Sequence, residues 1–229
     1  MLDKLEELPV ISINDLKKIK EYKNNKSFSL LIHRLKKKNK IIEIEKGKYT
    51  VHSEPYLVAT NIITPSYLSF WSCSFFLGFT EQIVNTIQIA CPVKKKPIYF
   101  MNQKIEFIKI PKKLIFGFKR NKNSVFIANN EKLVIDCLLL PEHVGNLDEI
   151  IEVIENAEIN EDIIIEYIKK INNRSLIKKI GFLLEKYKSM DLFKHFKNNI
   201  TKDKNYVTLP FSKGKNINKK WRVKHDYKE

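Results

Sequence analysis

The segment SFSLLIHRLKKKNKIIEIEKGKYTVH, residues 27–52, constrains the fold of this chain more than any other. Its first half carries apolar residues at the i, i+3, i+4 and i+7 spacing of one helical face: Phe28, Leu31, Ile32 and Leu35. This spacing predicts a helix over Phe28–Asn39 with a single apolar side. Ser27 is a favourable residue to cap its N-terminus. Such a helix must bury one side against neighbouring elements.

The second half of the segment alternates apolar and polar residues around a glycine-containing turn. The pattern predicts two strands, Ile41–Glu45 and Lys48–His52, joined at Lys46-Gly47. A long helix followed at once by a basic hairpin is typical of a winged helix-turn-helix. In that fold the helix enters the major groove of DNA and the hairpin forms the wing.

The preceding residues supply the other helices of such a domain. Leu2–Leu8 is predicted to form the first helix. Ser12 and Asp15 resemble a capping box, which predicts the start of a second helix over Ile13–Tyr22. Asn24-Asn25-Lys26 is then expected to turn the chain into the long helix.

The outer side of the long helix is polar and basic near its N-terminal end, the end that approaches base edges in helix-turn-helix proteins. We expect Ser29, His33 and Lys37 to face the major groove. Arg34 and Lys36 are expected to contact phosphates at its edge. With the hairpin included, the candidate DNA-binding residues are Lys26, Ser27, Ser29, Leu30, His33, Arg34, Lys36, Lys37, Lys46 and Lys48.

The wing and the local charge complete this prediction. Lys46 and Lys48 would reach the DNA backbone or the minor groove, and Leu30 would touch a thymine methyl group or pack against a dimer partner. From Lys23 to His52, nine Lys or Arg residues stand against two Glu. Such a cluster attracts the phosphate backbone and releases its counterions, so the predicted partner is double-stranded DNA.

Length and composition set the limits for the remainder. The chain has 229 residues, room for one large or two modest domains, and its hydrophobic fraction of 43% suffices for an ordinary core. No stretch approaches the ~20 apolar residues that span a bilayer. The start MLDKLEELP is unlike a signal peptide, so we predict a cytoplasmic protein without a membrane partner. A boundary near Ser53-Glu54-Pro55 predicts a DNA-binding domain over 1–53 and a second domain over 54–229.

Residues 54–229 mix helical and strand patterns. The predicted helices are Glu54–Asn61, Ser66–Leu77 (capped by Thr64, with Pro65 at its first position), Glu131–Leu140, Asn146–Glu155, Glu161–Ile171, Ser175–Tyr187 and Met190–Asn198. The predicted strands are Thr86–Cys91, Pro97–Met101, Lys104–Ile110, Leu114–Phe118 and Ser124–Ala128, with extended segments at Asn205–Phe211 and Lys219–Lys224. The predicted fold class is α+β: an N-terminal winged helix-turn-helix, then a larger α+β domain with a small antiparallel or mixed sheet.

Sequence patterns for chemistry are absent. The chain contains no HExxH, no CxxC pair, no glycine-rich phosphate loop and no GxSxG elbow. We therefore expect no enzyme activity, no catalytic residues, no metal site and no cofactor. Cys73, Cys91 and Cys137 lie in apolar surroundings, as buried thiols of a reducing compartment do. Asp136, on an apolar helix, is expected to bond a nearby cap or cation.

Several segments, taken in order, resemble the AbiEi-type antitoxins, a family of transcriptional regulators associated with viral defence and type IV toxin–antitoxin systems. IIEIEKGKYTV is similar to the hairpin of that family, in which a glycine followed by an aromatic closes the wing, here Gly47 and Tyr49. Ala59–Gln82 resembles its helical entry to the second domain, and Thr86–Ala90 the following strand. Further similarities are NNEKLVIDCLLLP with Glu131, Lys132 and Asp136, then KKIGFLLE and NKKWRV.

This resemblance implies that a winged helix represses its own operon by binding promoter repeats. It also implies that the second domain counteracts a nucleotidyltransferase-like toxin. An operator with two repeats would take two winged helices, in a homodimer or in two monomers side by side. The chain departs from the family at Lys178-Lys179, where a pair containing Arg is more usual, and at Asn129-Asn130, where an acid often sits.

Two other interpretations remain open at this point. The chain could be a protein-interaction module whose basic helix is only solvated surface. Segregated charge bears on that interpretation, since residues 142–166 hold nine acidic residues and no Lys or Arg, whereas eighteen basic residues stand against five acidic ones from Lys169 to the end. The chain could also be a nucleic-acid enzyme targeted by its winged helix, although the strand region 86–128 offers only Glu106 as a carboxylate.

Overall fold

The computed structural model describes residues 5–19 and 25–227, without the side chains of residues 16, 18, 19 and 25–28. The α-helices with both ends in these ranges are α1 Ile13–Ile19, α2 Asn25–Lys37, α3 Pro55–Asn61, α4 Phe70–Phe76, α5 Asn130–Leu139, α6 Leu147–Asn156, α7 Glu161–Ile171, α8 Arg174–Lys188 and α9 Phe193–Lys202. The strands are β1 Ile11–Ser12, β2 Ile42–Glu45, β3 Lys48–Thr50, β4 Tyr67–Leu68, β5 Thr86–Cys91, β6 Ile98–Phe100, β7 Gln103–Lys109, β8 Phe118–Arg120, β9 Phe126–Ala128, β10 Val207–Thr208, β11 Asn216–Asn218 and β12 Val223–His225. Helices and several small sheets make this a mixed α and β fold, compatible with the predicted α+β class.

The chain divides into two compact units. Unit 1 comprises residues 1–68, 85–115 and 120–126, and unit 2 comprises residues 69–84, 116–119 and 127–229. Each unit therefore draws on more than one stretch of sequence. The domain boundary after Ser53, which was drawn from sequence alone, stays a prediction.

The N-terminal part of unit 1 joins α1 and α2 to a three-stranded antiparallel sheet in the order β1-β3-β2. The predicted hairpin is confirmed, and β1 is an addition to it, with Ile11 opposite Tyr49. Gly47 turns the hairpin with φ +84°, and a Cβ there would lie 3.3 Å from Ile13 Cδ1, so a side chain is strained at this position. The apolar core beneath α2 consists of Leu5, Ile11, Leu35, Ile41 and Tyr49.

The helices of this region differ in extent from the prediction. Helix α2 begins at Asn25, so Ser27 lies inside its first turn and is not the N-cap, and Asn25-Lys26 is helical, not a turn. The apolar spacing starts only at Phe28 and does not mark a polar first turn. Of the first predicted helix, Leu2–Leu8, residues 5 and 6 are helical, whereas residues 7 and 8 form a turn and an irregular segment, so the predicted end is wrong. Residues 2–4 of that helix and residues 20–22 of the second predicted helix lie outside the described residues.

The second predicted helix starts with the hydrogen bonds between Ser12 and Asp15 that its sequence predicts. Asp15 accepts hydrogen bonds from the backbone N–H and the hydroxyl of Ser12 at 2.9 and 2.6 Å. The backbone N–H of Asp15 donates in return to the Ser12 hydroxyl at 3.2 Å. These reciprocal bonds satisfy donors at the helix start and confirm the predicted capping box.

The larger sheet has six strands in the order β6-β7-β5-β4-β9-β8. Strands β5 and β7 are parallel, from Thr86 opposite Lys104 to Cys91 opposite Lys109. Strand β6 pairs antiparallel with β7, and β4 pairs antiparallel with β5. The sheet is therefore mixed, one of the two arrangements predicted.

The predicted helix Ser66–Leu77 is wrong over its first part. Tyr67 and Leu68 form strand β4 opposite Ala90 and Ile89, and Ser69 is extended at φ −146° and ψ −173°. Thr64 and Pro65 therefore neither cap nor start the helix. The residues Tyr67-Leu68 have no local strand pattern, and pairing with the buried strand β5 decides their conformation.

The predicted strand Leu114–Phe118 is also wrong. Leu114 ends a 3-10 turn that begins at Lys112, and the strand at this place is β8, from Phe118. Gly117 separates the two with φ +69°, a left-handed conformation outside the extended range of a regular strand. Its carbonyl instead accepts a hydrogen bond from the backbone N–H of Asn129 at 2.9 Å.

Unit 2 is mainly helical, and most of its helices start at asparagine N-caps. The side chains that accept the first backbone N–H groups are Asn129 before α5, Asn146 before α6, Asn160 before α7 and Asn173 before α8. The four predicted helices here are confirmed to within one or two residues. The last predicted helix, Met190–Asn198, is displaced: Ser189 ends α8 with φ +54°, and Asp191 accepts the backbone N–H of Phe193 at the start of α9.

The closing segment forms a three-stranded sheet in the order β10-β12-β11. Trp221 just before β12 is fully buried, and its indole N–H donates to Glu185 of α8 at 2.5 Å. A Cβ on Gly181 would lie 2.0 Å from the Trp221 ring, so only glycine lets α8 approach this side chain.

Candidate nucleic-acid interface

Helix α2 divides its side chains between core and solvent as the sequence predicts. Leu35 is buried in the core beneath the helix, with Leu31 and Ile32 packed against it. The opposite side is exposed and is termed the α2 outer face: Ser29, Leu30, His33, Arg34 and Lys37. Leu30, at 51% exposure, is the apolar member of this otherwise polar and basic face. A surface of this kind can receive a partner.

Two candidate residues precede this face. Lys26 and Ser27 lie in the first turn of α2, but their side chains are outside the described ones. Their proposed contacts stay predictions. The first turn contains no acidic residue, and Arg34, Lys36 and Lys37 lie in the last turn.

Lys36 lies beside the outer face and has a partner within unit 1. Its ammonium group forms an ion pair with Glu43 on β2. This hydrogen bond to Glu43 raises the pKa of Lys36 above its ordinary value. A phosphate would therefore have to compete with a carboxylate for Lys36, which the sequence did not reveal.

The two lysines of the hairpin are placed differently. Lys46 is exposed at the turn. Lys48 is half-buried, and its ammonium donates to the backbone carbonyl of Ile62 at 2.6 Å and lies 3.3 Å from Glu45. Lys48 thus connects the hairpin to the end of α3, whereas Lys46 remains accessible to a ligand.

A further lysine touches the hairpin from the loop between β5 and β6. Lys95 forms an ion pair with Glu45, which therefore has two cationic neighbours. Burial alone would raise the pKa of Glu45, but the hydrogen bonds from Lys95 and Lys48 outweigh it and lower that pKa. Sequence reasoning treated Lys94-Lys95-Lys96 only as a turn, because nothing local indicates a contact fifty residues away.

Asp136 has the partners that its position requires. Its carboxylate accepts a hydrogen bond from the Ser69 hydroxyl at 2.8 Å and forms an ion pair with Lys132, one turn earlier on α5. All three side chains are buried. The expected bond to a nearby cation is confirmed, and the group has the character of a structural network.

The cysteines are buried and unpaired as thiols. Burial raises the pKa of Cys73, Cys91 and Cys137, and the Asp136 carboxylate adds to the shift at Cys73 and Cys137. A raised pKa keeps the thiolate form scarce, so these groups are poor nucleophiles. Within residues 5–19 and 25–227, no three His, Cys, Asp or Glu side chains are grouped to hold a metal ion. No helix in the same ranges has the length and apolar character needed to cross a membrane.

No protein-family model matches this chain, and no curated protein matches it by sequence. Among solved structures, the chain is similar to the crystal structure of the RV2827C protein from Mycobacterium tuberculosis, with a TM-score of 0.63. The match covers 97% of this chain and 88% of that chain at 14% sequence identity. At this identity the likeness concerns the fold alone.

Proposed function

We propose that this chain is a DNA-binding transcriptional regulator whose N-terminal region works as a winged helix-turn-helix. The observation that supports it is the α2 outer face, a cationic and polar helix surface that stays in solvent while the other side of α2 is buried. The β2–β3 hairpin follows this helix directly and carries the exposed Lys46 at its turn. A recognition helix and a wing require this arrangement.

In this proposal each group has a defined role. Ser29, His33 and Lys37 read base edges, and Arg34 contacts a phosphate. Lys46 contacts the backbone beside the groove. Lys48 has a lesser part than the sequence suggested, because its ammonium is already bonded to Ile62.

The AbiEi-type resemblance extends the proposal to an antitoxin role. The regulator would repress its own operon and counteract a nucleotidyltransferase-like toxin encoded beside it, acting in the cytoplasm without enzyme activity of its own. Rescue of growth when this chain is co-expressed with the product of such an adjoining gene tests this part. Failure to rescue would remove the antitoxin role and leave the regulator.

Fluorescence anisotropy with two duplexes tests the DNA-binding part. One duplex is drawn from the region upstream of the chain's own gene, and the other is a shuffled duplex of the same composition. His33→Ala or Lys37→Gln should cost about 1–3 kcal/mol on the first duplex and less on the second, because base contacts are lost. Lys46→Gln should weaken binding to both and reduce the salt slope by about one.

The matched control is Lys197→Gln, which removes one exposed positive charge from α9 in unit 2. We expect this variant to bind both duplexes like the wild type. Equal losses on both duplexes for His33→Ala and Lys37→Gln would contradict base reading. Absence of wild-type binding to either duplex at low salt would overturn the proposed function.

A further inference from the structure

We propose that DNA contact extends beyond the winged helix to the loop before β6, where Lys94 and Lys96 bind phosphates next to the wing. This inference rests on the proposed function and names a second contact for the same ligand. It involves residues of unit 1 only.

Lys95 fixes the position of this loop relative to the hairpin. Its ammonium forms an ion pair with Glu45 on β2 and lies 5.4 Å from the centre of the Phe107 ring on β7. Strands β2 and β6 also lie in contact. Because Glu45 directly precedes the wing turn, Lys95 holds the loop close to Lys46.

The two lysines on either side of Lys95 are more exposed to solvent than Lys95 itself. Lys94 and Lys96 are exposed, whereas Lys95 is half-buried. One lysine of the triplet therefore anchors the loop, and the two that flank it present their ammonium groups to solvent. Two exposed cations held beside a DNA-contacting turn are suited to phosphate oxygens.

The strand after the loop carries an exposed aromatic side chain. Tyr99 on β6 is 73% exposed and lies opposite Lys104 on β7 in the antiparallel register, so both side chains emerge on the same face of the sheet. A tyrosine hydroxyl donates to phosphate oxygens in many DNA complexes. Tyr99 and Lys104 thus place groups of compatible chemistry on the two strands that follow the loop.

This arrangement also explains how the wing functions with one accessible lysine. Lys48 is bonded to the Ile62 carbonyl and to Glu45, which leaves Lys46 as the exposed lysine of the turn. Lys94 and Lys96 restore the cationic character of this edge. We expect them to contribute affinity for any duplex and to carry no sequence preference.

The test compares Lys94→Gln/Lys96→Gln with the matched pair Lys197→Gln/Lys204→Gln, which removes two exposed positive charges from unit 2. Dissociation constants are measured by anisotropy for both duplexes between 50 and 200 mM KCl. Each lost phosphate contact lowers the salt slope by about 0.9, so the first variant should lose about two units of slope. Between 50 and 200 mM KCl, the factor by which the affinity of this variant falls should then be about one tenth of the factor for the wild type. The ratio of affinities for the two duplexes should stay unchanged.

A second measurement does not depend on substitution. Brief acetylation of the wild-type protein, followed by mass spectrometry, reports which lysines the duplex shields. Lys94 and Lys96 should be protected when DNA is bound, and Lys197 should not.

The outcomes separate this inference from the proposed function. If the wild type binds duplex DNA but the Lys94→Gln/Lys96→Gln variant keeps the full salt slope and both lysines stay reactive, the extended contact is wrong and the winged helix stands. If the wild type binds no duplex, both proposals fail. A preference for single-stranded RNA over duplex, lost in the same variant, would contradict the DNA assignment of this surface.

Discussion

Lysine side chains are exposed to solvent at the end of helix α2, whereas two lysines in the core of unit 2 are buried. The lysines at the end of α2 stay in solvent, and Lys37 belongs to the outer face. In unit 2, Lys132 and Lys178 are fully enclosed. Lys132 pairs with Asp136, and Lys178 donates to the Asp203 carboxylate at 2.8 Å and to the Asn205 carbonyl at 2.5 Å.

The difference shows that lysine content does not indicate where a basic protein binds. A buried ammonium requires a carboxylate and further acceptors, since desolvation would otherwise exceed its Coulomb gain. An exposed ammonium keeps its hydration and remains available to a phosphate. The net charge of +16 therefore includes cations of both kinds, and exposure has to be known before either role is assigned.

Among the variants that probe buried lysines, breaking the ion pair between Lys132 and Asp136 on α5 should lower the free energy of unfolding most. Asp136→Leu leaves the Lys132 ammonium enclosed without its carboxylate, and we expect a loss of about 3–5 kcal/mol in the free energy of unfolding. Urea denaturation followed by circular dichroism measures this loss. Lys132→Met/Asp136→Leu should recover much of it, because the apolar pair carries no uncompensated charge. A double variant as unstable as the single one would contradict this explanation.

Removing the second enclosed lysine should have a smaller effect. Lys178→Met removes the donor of the hydrogen bonds to the Asp203 carboxylate and the Asn205 carbonyl, and we expect a lower free energy of unfolding than that of the wild type. The loss is smaller than for Asp136→Leu because Asp203 is partly accessible to water. Lys197→Met on α9 is the matched control and should unfold at the wild-type urea concentration. Equal midpoints for Lys178→Met and the control would show that burial of Lys178 contributes nothing.

The smallest expected effect concerns Asp203, the carboxylate partner of Lys178, and how its contribution to stability changes as the pH falls. The hydrogen bond from Lys178 and one from the backbone N–H of Asn205 lower the pKa of Asp203 below its ordinary value. The ionised carboxylate therefore stabilises the fold above the unfolded pKa of about 3.9, and this stabilisation is lost as pH falls through the lower folded value. The gap between wild type and Asp203→Asn in urea midpoint should be constant near pH 6 and close below pH ~4. A gap that widens on acidification would be inconsistent with a lowered pKa.

The parts of the fold that sequence predicts are those decided locally. The β2–β3 hairpin follows from alternation around Gly47, and the helices of unit 2 follow from apolar spacing with asparagine caps. Strand β4 escaped prediction because Tyr67-Leu68 is extended only through its pairing with β5. Strand β1 is equally short and is defined by pairing with β3.

For the candidate site, the sequence predicted which residues of α2 are exposed, but not which lysines already have bonding partners within the chain. The helical spacing alone placed Ser29, His33 and Lys37 on the solvent side of α2, where the structure has them. It did not show that Lys48 is bonded to Ile62, because that contact depends on how α3 ends. The contact proposed for Lys94 and Lys96 was likewise hidden, since it depends on the ion pair of Lys95 with Glu45 and on the contact between β2 and β6, which join distant parts of the sequence.

The enclosed thiols of Cys73, Cys91 and Cys137 have a practical consequence for work with this protein. A maleimide dye added to the native chain finds little thiolate to attack, so background labelling is low. One cysteine introduced at an accessible place could carry a fluorophore without removing the natural three. The rate at which the natural thiols are labelled would report unfolding, because each thiol becomes reactive only when the residues around it separate.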